Sequence, residues 1–483
     1  MVPVSGSRVS QRAVVSVVYV AAMFMAILDA TIVNVALPAL GRHFGVPATS
    51  VATVSIYYLV SLAVCIPASG WLGDRFGGKR VLLAAVVIFT GASALCGAAQ
   101  SLAELDVFRV LQGIGGGMLA PVGLAMLLRV YPPEDRIRMA GLLTVPTTFA
   151  PAAGPVLGGI LVTEVSWRWV FYVNLPIGAA AFAFGAFFLD GGRETRPGRF
   201  DVAGFLLAGA GLGALMYGVS EGPETGWATP GVLATVCAGA ALLAVLVRVE
   251  LTIAEPLIDL RLLANRLFRS CSAVMVLASI AFIGSLYLLS LFYQDGRGLS
   301  ALGSGLGTFP EAFGVMAGAQ LASRALYPRL GPRRHIAIGL AGVAVTIALM
   351  ALAAPASLWW MRLLVFAMGF AQGQVFVPSQ GAAFATISRA ATGRASTMFN
   401  AGRQLGGAAG VAALTTAVVA VGVRHTAAAR MAPDLLAYRL AFLVAAAVDV
   451  AAIGVALTIR DADAAATINP RRPRRSGAAA GIS

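Results

Sequence analysis

The segment GWLGDRFGGKR, residues 70–80, joins one long apolar run to the next. Its four glycines allow two helices to approach closely and the backbone to take angles that other residues avoid. The segment therefore predicts a tight turn between two helices. Asp74 can form a charge cluster with the basic residues around it, which would hold neighbouring helix ends together. A basic loop that only sets the orientation of the helices is the alternative.

A second copy of this pattern lies 254 residues further on, in PRLGPRR (328–334). Both copies contain R-[FL]-G-x-[KR]-R. Arg109 recurs as Arg362 at an offset of 253 residues, and GPVLGG (154–159) recurs as GGAAGV (406–411) at an offset of 252. These three offsets agree within two residues, and the matched segments follow the same order along the chain. They therefore indicate an internal repeat, which determines the architecture of the protein.

The composition is that of a polytopic membrane protein. Of the 483 residues 59% are hydrophobic and only 12% are charged, about half the charged share of an average soluble domain. The first apolar run follows Arg8 and Arg12, but it is too long for a signal peptide, contains Asp29 and ends in ALPAL, so it predicts a retained first span. The four cysteines lie inside apolar runs without metal-like spacing, which favours packing over disulfides or metal ligation.

Apolar runs separated by charged residues, proline and glycine predict fourteen membrane spans, each about 20 residues long. The predicted spans are 13–38, 51–72, 81–100, 105–128, 139–162, 169–190, 202–219, 230–249, 270–293, 302–324, 336–354, 359–382, 396–421 and 438–459.

The loops predict the orientation of these spans. If the N-terminus is inside, 26 of the 35 basic residues fall on the even-numbered connections and the two tails, six on the odd-numbered connections and three within spans. Basic loops are retained on the cytoplasmic side, so both termini are predicted to be cytoplasmic. The same topology explains the net charge of +14 without a nucleic-acid partner. The run RRPRR (471–475) is expected to be a solvated tail, with binding to anionic lipid as the alternative.

The repeat offset exceeds six spans with their loops, and the seventh and eighth spans account for the excess. We therefore predict an all-α polytopic membrane protein with 14 transmembrane helices: two parallel six-helix bundles plus a two-helix insert. The predicted divisions are an N-terminal tail 1–12, a first bundle 13–190, an insert with flanking loops 191–269, a second bundle 270–459 and a basic tail 460–483. Parallel halves are typical of transporters whose substrate site lies between them near the midplane.

Asp29 lies near the middle of the first span, with no basic residue within ten positions on either side. An uncompensated carboxylate at that depth is costly, so Asp29 is expected to be protonated, paired or in contact with water. A carboxyl group whose surroundings alternate between apolar and cationic can bind and release a proton in each transport cycle. A structural role, with Asp29 held by a hydrogen bond between helices, is the alternative. Asn34, on roughly the opposite side of the same helix, is a candidate cavity residue.

Other charged residues also fall within predicted spans. Arg109, in the fourth span, is expected to face a cavity or a partner, and Asp106 is an alternative local partner. Glu311 could line the cavity and attract a cationic substrate, or it could be solvated from the outer side. Asp449 is expected to have a structural role, and the repeat places Arg362 towards the cavity as the counterpart of Arg109.

Several of these segments resemble known transporters. GWLGDRFGGKR is similar to the signature loop of the major facilitator superfamily, G-x-L-[AG]-D-R-x-G-x-[KR]-x, and FRVLQGIGGG (108–117) resembles its fourth-span motif, R-x-x-Q-G-x-G. GPVLGG resembles the fifth-span motif of its antiporters. LDATIVNVALPAL (28–40), WRWVFYVNLPIG (167–178) and GRQLGGAAGVA (402–412) resemble fixed stretches of the fourteen-span drug:proton antiporters of the EmrB/QacA type.

The resemblance implies roles for particular residues. It makes Asp29 the membrane acid that carries proton coupling and implicates Arg109 in the same process. The positions that it marks are the cytoplasmic gate residues Gly70, Asp74, Arg75, Gly77, Lys79 and Arg80, the fourth-span residues Gln112 and Gly113, and the antiporter residues Gly154, Pro155, Gly158 and Gly159. The chain departs from the family patterns at Pro328, which stands where the first repeat has Asp74, and at Ala150, where the antiporter motif usually begins with glycine.

Together these features predict a proton-coupled secondary transporter in the bacterial cytoplasmic membrane that exports small lipophilic or cationic compounds, as in drug or antibiotic efflux. The expected partners are the substrate, protons and the lipid bilayer, with no nucleic acid, no metal and a monomeric state. No P-loop pattern is present, so a proton gradient rather than ATP or another cofactor is expected to supply energy. An importer or facilitator of a metabolite or siderophore is the alternative within transport, and GPVLGG argues against it. An enzyme is disfavoured because the three histidines lie scattered in separate loops.

Overall fold

The computed structural model describes residues 10–46, 51, 53–191, 200–253, 256, 258–293, 297–299, 301–353, 357–388, 391–422 and 435–468. These residues form helices and connecting turns, with no β-strand among them. The long helices are α1 (Gln11–Phe44), α2 (Thr53–Phe76), α3 (Gly78–Ala98), α4 (Leu102–Val130), α5 (Arg136–Ile160), α6 (Trp169–Phe188), α7 (Val202–Thr225), α8 (Pro230–Thr252), α9 (Arg266–Leu291), α10 in two pieces (Ala301–Thr308 and Pro310–Leu321), α11 (Tyr327–Ala353), α12 (Leu358–Ala383), α13 (Thr392–Gly422) and α14 (Leu435–Ala456). The predicted tail run 471–475 lies outside the described residues.

Ten helical segments of the described chain are long and apolar enough to cross a membrane. One of these segments, Gly303–Leu352, covers 50 residues and overlaps both the predicted tenth and the predicted eleventh span. The protein is therefore a multi-pass membrane protein whose bulk consists of apolar helices.

Polar side chains next to the apolar runs determine where several helices begin. Ser101 accepts a hydrogen bond from the backbone N–H of Glu104 at the start of α4, and Asp201 does the same for Gly204 at the start of α7. Asn265 caps α9 in the same way. Each cap satisfies a backbone donor that the first helical turn leaves without an intrahelical acceptor, so these boundaries are encoded locally.

The internal repeat is visible in the backbone itself. Gly77 has a φ angle of 86° and Gly331, 254 residues later, has a φ angle of 70°. This left-handed region is readily accessible only to glycine. The turn of the segment 70–80 and the turn of its second copy therefore have similar backbone shapes, although their flanking residues differ.

The packing of the helices repeats as well. In the first half α2 packs against α4, α1 against α5 and α3 against α6. The corresponding pairs of the second half are α10 with α12, α9 with α13 and α11 with α14. Each pair recurs eight helices later, so the two halves share the same pairing of helices.

Helix α7 contacts both halves of the molecule. It packs against α8, α2 and α13. A methyl group at Gly209 would lie 2.9 Å from the side chain of Val64, and the indole N–H of Trp227 donates a 2.5 Å hydrogen bond to the Thr416 hydroxyl. The inserted pair of helices therefore covers the side on which α2 meets α13.

Close approach of α9 and α13 depends on glycine. A methyl group at Gly284 would lie 2.8 Å from the carbonyl group of Gly410, closer than real side chains come to backbone atoms. We expect Gly284→Ala to destabilise the second half by about 1–3 kcal/mol, the usual cost of overpacking a well-packed interface. Thermal unfolding of the purified protein in detergent measures this effect.

Gly454→Ala is the matched control, because a methyl group at Gly454 would meet no atom within 4 Å. It should leave the melting temperature unchanged or raise it slightly, since alanine favours the helix. Equal melting temperatures for the two variants would contradict the close packing of α9 on α13.

Candidate functional site

The buried acid of the first helix forms an ion pair with the buried arginine of the fourth. Arg109 Nη1 lies 2.6 Å from Asp29 Oδ2, and their side chains are 1% and 0% exposed. The two residues are 80 positions apart in the chain. Of the three surroundings expected for Asp29, the structure shows pairing.

The other oxygen of Asp29 accepts two further hydrogen bonds. Gln112 Nε2 donates at 2.8 Å and Asn174 Nδ2 at 2.7 Å, both to Oδ1. The hydroxyl oxygen of Ser93 accepts from the same two amides, at 2.7 Å and 3.3 Å. Both carboxylate oxygens are therefore occupied by donors, which is how proteins accommodate a buried charge. We call Asp29, Ser93, Arg109, Gln112 and Asn174 the polar cluster.

The guanidinium group of Arg109 makes hydrogen bonds and aromatic contacts in addition to its ion pair. Its Nε donates to the carbonyl oxygen of Val54 at 3.0 Å, and Nη1 also donates to Gln112 Oε1 at 2.6 Å. The guanidinium carbon lies 4.2 Å from the ring centroid of Tyr58 and 5.9 Å from that of Phe171. Cation–π contact and hydrogen bonds together offset the desolvation of the guanidinium.

Five helices of the first half build this cluster. Asp29 comes from α1, Ser93 from α3, Arg109 and Gln112 from α4, and Asn174 from α6, while α2 provides the carbonyl of Val54 and the ring of Tyr58. The charges of Asp29 and Arg109 cancel. The pair therefore joins α1 to α4 without leaving a net charge in the bundle.

Asp106 is not the partner of Arg109. Its two carboxylate oxygens accept from the Thr53 hydroxyl at 3.1 Å and 3.0 Å. The local alternative raised by the sequence is therefore not the arrangement in the structure, because Arg109 points across the bundle to α1.

Sequence reasoning did not assign Asn174 or Ser93 to the site. Asn174 lies in WRWVFYVNLPIG and is fully buried. An amide within an apolar run is the signal that could have identified it, because buried polar groups need partners. The side chain of Asn34, predicted to face the cavity, lies outside the described residues.

The signature loop forms a different contact from the one expected. Asp74 pairs with Arg129 of α4 at 2.5 Å. Lys79 donates to the carbonyl oxygens of Ala186 and Leu189 at the end of α6, at 3.0 Å and 2.5 Å. Carbonyls at a helix C-terminus lack intrahelical donors, so the ammonium group of Lys79 caps α6. Arg75 and Arg80 are exposed.

The two halves meet next to this loop. A methyl group at Gly70 would lie 2.7 Å from the Thr397 hydroxyl oxygen, and the hydroxyl of Ser396 donates to the carbonyl oxygen of Pro121 at 2.8 Å. On the other side of the same end, Gln320 donates to the carbonyl oxygen of Gly141 at 2.8 Å. The predicted cytoplasmic end of the molecule is therefore closed in this structure.

Arg136, also at this end, donates to the carbonyl oxygen of Phe384 at 2.5 Å. This contact joins α5 to the end of α12 and is made by a side chain that is only 5% exposed. A buried guanidinium with a carbonyl acceptor adds a second link across the same interface.

The glycines of the antiporter motif differ in how closely other helices approach them. Gly154 lies against Thr31 of α1, where a methyl group would collide with the side chain. Gly158 is buried, whereas a methyl group at Gly159 would meet no atom within 4 Å. The expected close approach therefore holds at Gly154 but not at Gly159. The side chain of Pro155 lies outside the described residues.

Among the described residues, the second half does not reproduce the polar cluster. Arg362 stacks on the ring of Trp359, with 4.9 Å from its guanidinium carbon to the ring centroid, and Trp359 is 75% exposed. Arg362 lies in the second turn of α12, close to an end of the helix, so it reaches the surface instead of a buried acid. Glu311 is buried on α10 and Asp449 is buried on α14, both apart from the polar cluster.

The sequence matches the family model described as Major Facilitator Superfamily over residues 19–411. The chain therefore belongs to the Major Facilitator Superfamily. The family expected from the sequence motifs is confirmed, and so is its all-helical fold.

Three curated relatives are named for drug resistance or export. The chain is 34% identical over 403 residues to the multidrug resistance protein B homolog of Mycobacterium tuberculosis, covering 82% of this chain and 74% of the relative. It is 34% identical over 354 residues to the putative multidrug resistance protein MdtD of Serratia proteamaculans, covering 73% of each. It is 32% identical over 363 residues to the tetracenomycin C resistance and export protein of Streptomyces glaucescens, covering 75% of this chain and 65% of the relative.

Two solved structures share the fold. The human organic anion transporter MFSD10 aligns with a TM-score of 0.67 at 17% identity, over 92% of this chain and 99% of that chain. The proton:xylose symporter XylE aligns with a TM-score of 0.63 at 13% identity, over 92% and 94%. At these identities the similarity shows the fold alone.

The ion pair of the polar cluster should be energetically coupled. Asp29→Ala and Arg109→Ala each leave a buried charge without its partner, and we expect each to destabilise the protein by about 3–5 kcal/mol. The double variant removes both charges, so it should lose much less than the sum of the two single losses. Thermal unfolding of the four proteins in detergent provides the comparison.

Arg12 and Asp135 form the control pair, at 2.9 Å with side chains 49% and 33% exposed. An exposed pair contributes little, so the same cycle with Arg12→Ala and Asp135→Ala should be nearly additive and close to wild type. Additive losses at Asp29 and Arg109 would show that the two side chains are not paired.

Proposed function

We propose that this protein is a proton-coupled secondary transporter that exports small lipophilic or cationic compounds by alternating access. The observation that carries the proposal is the buried pair of Asp29 and Arg109, completed by Gln112 and Asn174, in a member of the Major Facilitator Superfamily. The names of the relatives support drug or antibiotic efflux as the physiological role.

Proton coupling follows from the charge balance of the cluster. With Asp29 ionised the pair is neutral and fully hydrogen-bonded. A proton on Asp29 leaves the guanidinium of Arg109 without a counter-charge in an apolar bundle, which is costly and favours a rearrangement that hydrates or re-pairs it. A cationic substrate near Asp29 has the opposite effect, because it favours the ionised carboxylate. Proton and substrate therefore compete, as exchange requires.

The pair formed by Asp74 and Arg129 serves as a gate at the cytoplasmic end. It positions the end of α2 beside α13, where Gly70 allows contact with Thr397. Opening towards the cytoplasm separates these surfaces, so the state described here is the cytoplasm-closed one. Substrate would reach the cluster through the space between the halves 13–190 and 270–459.

The long helices can be assigned to fourteen membrane crossings. The continuous segment Gly303–Leu352 would be about 75 Å long as one straight helix, far more than the roughly 30 Å of a bilayer core. Gly331 interrupts it with non-helical angles, so it supplies two crossings. Helices α5, α7 and α13, of 25, 24 and 31 residues, supply three further crossings.

The same topology places the protein in the bacterial cytoplasmic membrane with both termini on the inner side. The proposed parts are the bundles 13–190 and 270–459, the insert 191–269 and the tails 1–12 and 460–483. The transporter acts as a monomer, without a cofactor and without enzymatic activity.

Energised inverted vesicles with a pH-sensitive dye in the lumen test the exchange. Adding a lipophilic cation, or the tetracenomycin C that one relative is named for, should raise the lumenal pH as protons leave in exchange for substrate. Asp29→Asn should abolish this response, because the amide keeps the shape of the carboxyl group but cannot carry a proton.

Asp106→Asn is the matched control, since it neutralises a neighbouring acid that accepts from Thr53 and forms no ion pair with Arg109 within the described residues. It should respond like wild type. A response in Asp29→Asn equal to that of wild type would exclude Asp29 as the coupling acid. Absence of a response to every compound in wild type would contradict export and favour an importer.

The gate is tested by substitutions at its two partners. Asp74→Asn and Arg129→Gln should each lower the substrate-driven proton movement several-fold. The double variant should lose little more than either single variant, because each of the three variants breaks the same ion pair. Initial rates in the same vesicles measure this.

Arg138→Gln removes an exposed positive charge from the same end and serves as the control. It should transport at the wild-type rate, because a single exposed charge contributes little. If the losses at Asp74 and Arg129 multiplied in the double variant, the two residues would be acting separately.

A further inference from the structure

The segment that follows α14 lies across the cytoplasmic end of the molecule. Residues 461–468 form a single 3₁₀ turn, Asp461–Ala464, and a short helix, Ala465–Ile468. Ala464 and Thr467 of this segment are buried, at 0% and 4% exposed. We call residues 461–468 the C-terminal strap.

Asp461 anchors one end of the strap to the second half. Its Oδ1 accepts a 2.9 Å hydrogen bond from the backbone N–H of Arg333, and its carboxylate lies against Gly331. These two residues belong to PRLGPRR, the second copy of the signature loop. That copy has Pro328 where the first has Asp74. The carboxylate missing from the loop is therefore present, but it comes from the strap.

Thr467 provides a second anchor. Its hydroxyl shares a 2.7 Å hydrogen bond with the hydroxyl of Tyr327, which is fully buried at the start of α11. Both hydroxyls are buried away from water, so each needs a partner in the protein. The hydrogen bond between them therefore fixes the position of the short helix under the second half.

The far end of the strap reaches the first half. Ile468 packs against a buried cluster to which α5 contributes Ile137 and Ala140, and to which the second half contributes Ala319, Tyr327 and Val377. The short helix further contacts the turn Pro133–Asp135, which precedes α5. The strap is thus anchored to one half by hydrogen bonds and touches the other by apolar contact.

Opening towards the cytoplasm would break only part of this arrangement. Separation of α5 from α10 and α12 leaves the anchors at Asp461 and Thr467 intact and strips Ile468 of its contacts with the first half. We infer that the C-terminal strap is a latch that stabilises the cytoplasm-closed state, with Asp461 supplying the acid that the second loop lacks. The inference rests on the proposed alternating access, because it assigns the strap a preference for one of its two states.

A buried serine at the opposite interface reports on opening. Ser396 is fully buried on α13, where it meets α4, and it is remote in the fold from the residues that the strap contacts. With the four native cysteines replaced by alanine, Ser396→Cys should react slowly with a membrane-impermeant maleimide added to inverted vesicles. Faster labelling then measures opening itself and not the uncovering of a surface beneath the strap.

Two variants remove the closed-state contact of the strap in the full-length chain. Ile468→Ala truncates the side chain that meets the first half only in the closed state, and the double variant Asp461→Ala/Thr467→Val frees the strap from both anchors. Each should accelerate labelling about five-fold, because each weakens the closed state alone. The control is Asp463→Ala, which removes the same charge from the same turn. Asp463 makes no side-chain hydrogen bond or ion pair within the described part of the chain, so its labelling should match that of the reporter background.

The outcomes separate the latch from the transport function. Labelling at the reporter rate in both strap variants, with normal melting temperatures, would overturn the latch. Acceleration in Asp463→Ala equal to that in Asp461→Ala/Thr467→Val would also overturn it, because the effect would then be one of charge alone. Accelerated labelling in the two strap variants, but not in Asp463→Ala, would support the latch even if no compound moved protons, and in that case the proposed function would fail by itself.

Discussion

The structure depends on one interaction, the ion pair between Asp29 and Arg109 inside an apolar bundle. Neither charge is tolerable there alone, because an unpaired charge in a membrane interior costs far more than one hydrogen bond provides. The pair constrains the helices around it. Asn174 and Gln112 must come close enough to donate to Asp29, and α2 must lie against α4 so that the carbonyl of Val54 reaches Arg109. The absence of a side chain at Gly113 allows this approach of α4 to α2.

The two halves share a packing plan but have diverged in their chemistry. The first half has its acid in the loop, paired with Arg129, and its arginine in the bundle, paired with Asp29. The second half receives its loop acid from Asp461 of the strap, and its repeat arginine stacks on an exposed tryptophan. Backbone geometry was retained where glycine demands it, at positions 77 and 331, while the charged groups were redistributed. Such asymmetry agrees with the proposed function, in which one half binds the proton.

Closure at the cytoplasmic end uses small contacts rather than a large apolar core. Hydroxyl, amide and carbonyl groups of Ser396, Gln320 and their partners meet across the two interfaces, and glycines allow the backbones to approach. Contacts of this kind each contribute little, so closed and open states can differ by only a few kcal/mol. The proposed alternating access requires such a balance, which would allow a short segment such as the strap to shift the equilibrium.

Much of this protein was determined by its sequence alone. Apolar runs and basic loops are local signals, so the helices, their order and the family could be predicted, and the repeat was readable because glycine and arginine recur at a constant offset. The partners of the charged residues were not predictable in the same way. Arg109 had an acid three positions away and yet pairs with one 80 positions away, and Asp74 lies among basic neighbours yet pairs with Arg129. Sequence separation does not limit which side chains meet once helices pack, because each helix brings residues from its whole length to its neighbours. Only the tertiary structure could decide which buried charges share a space, since their pairing is set by the cost of leaving them apart.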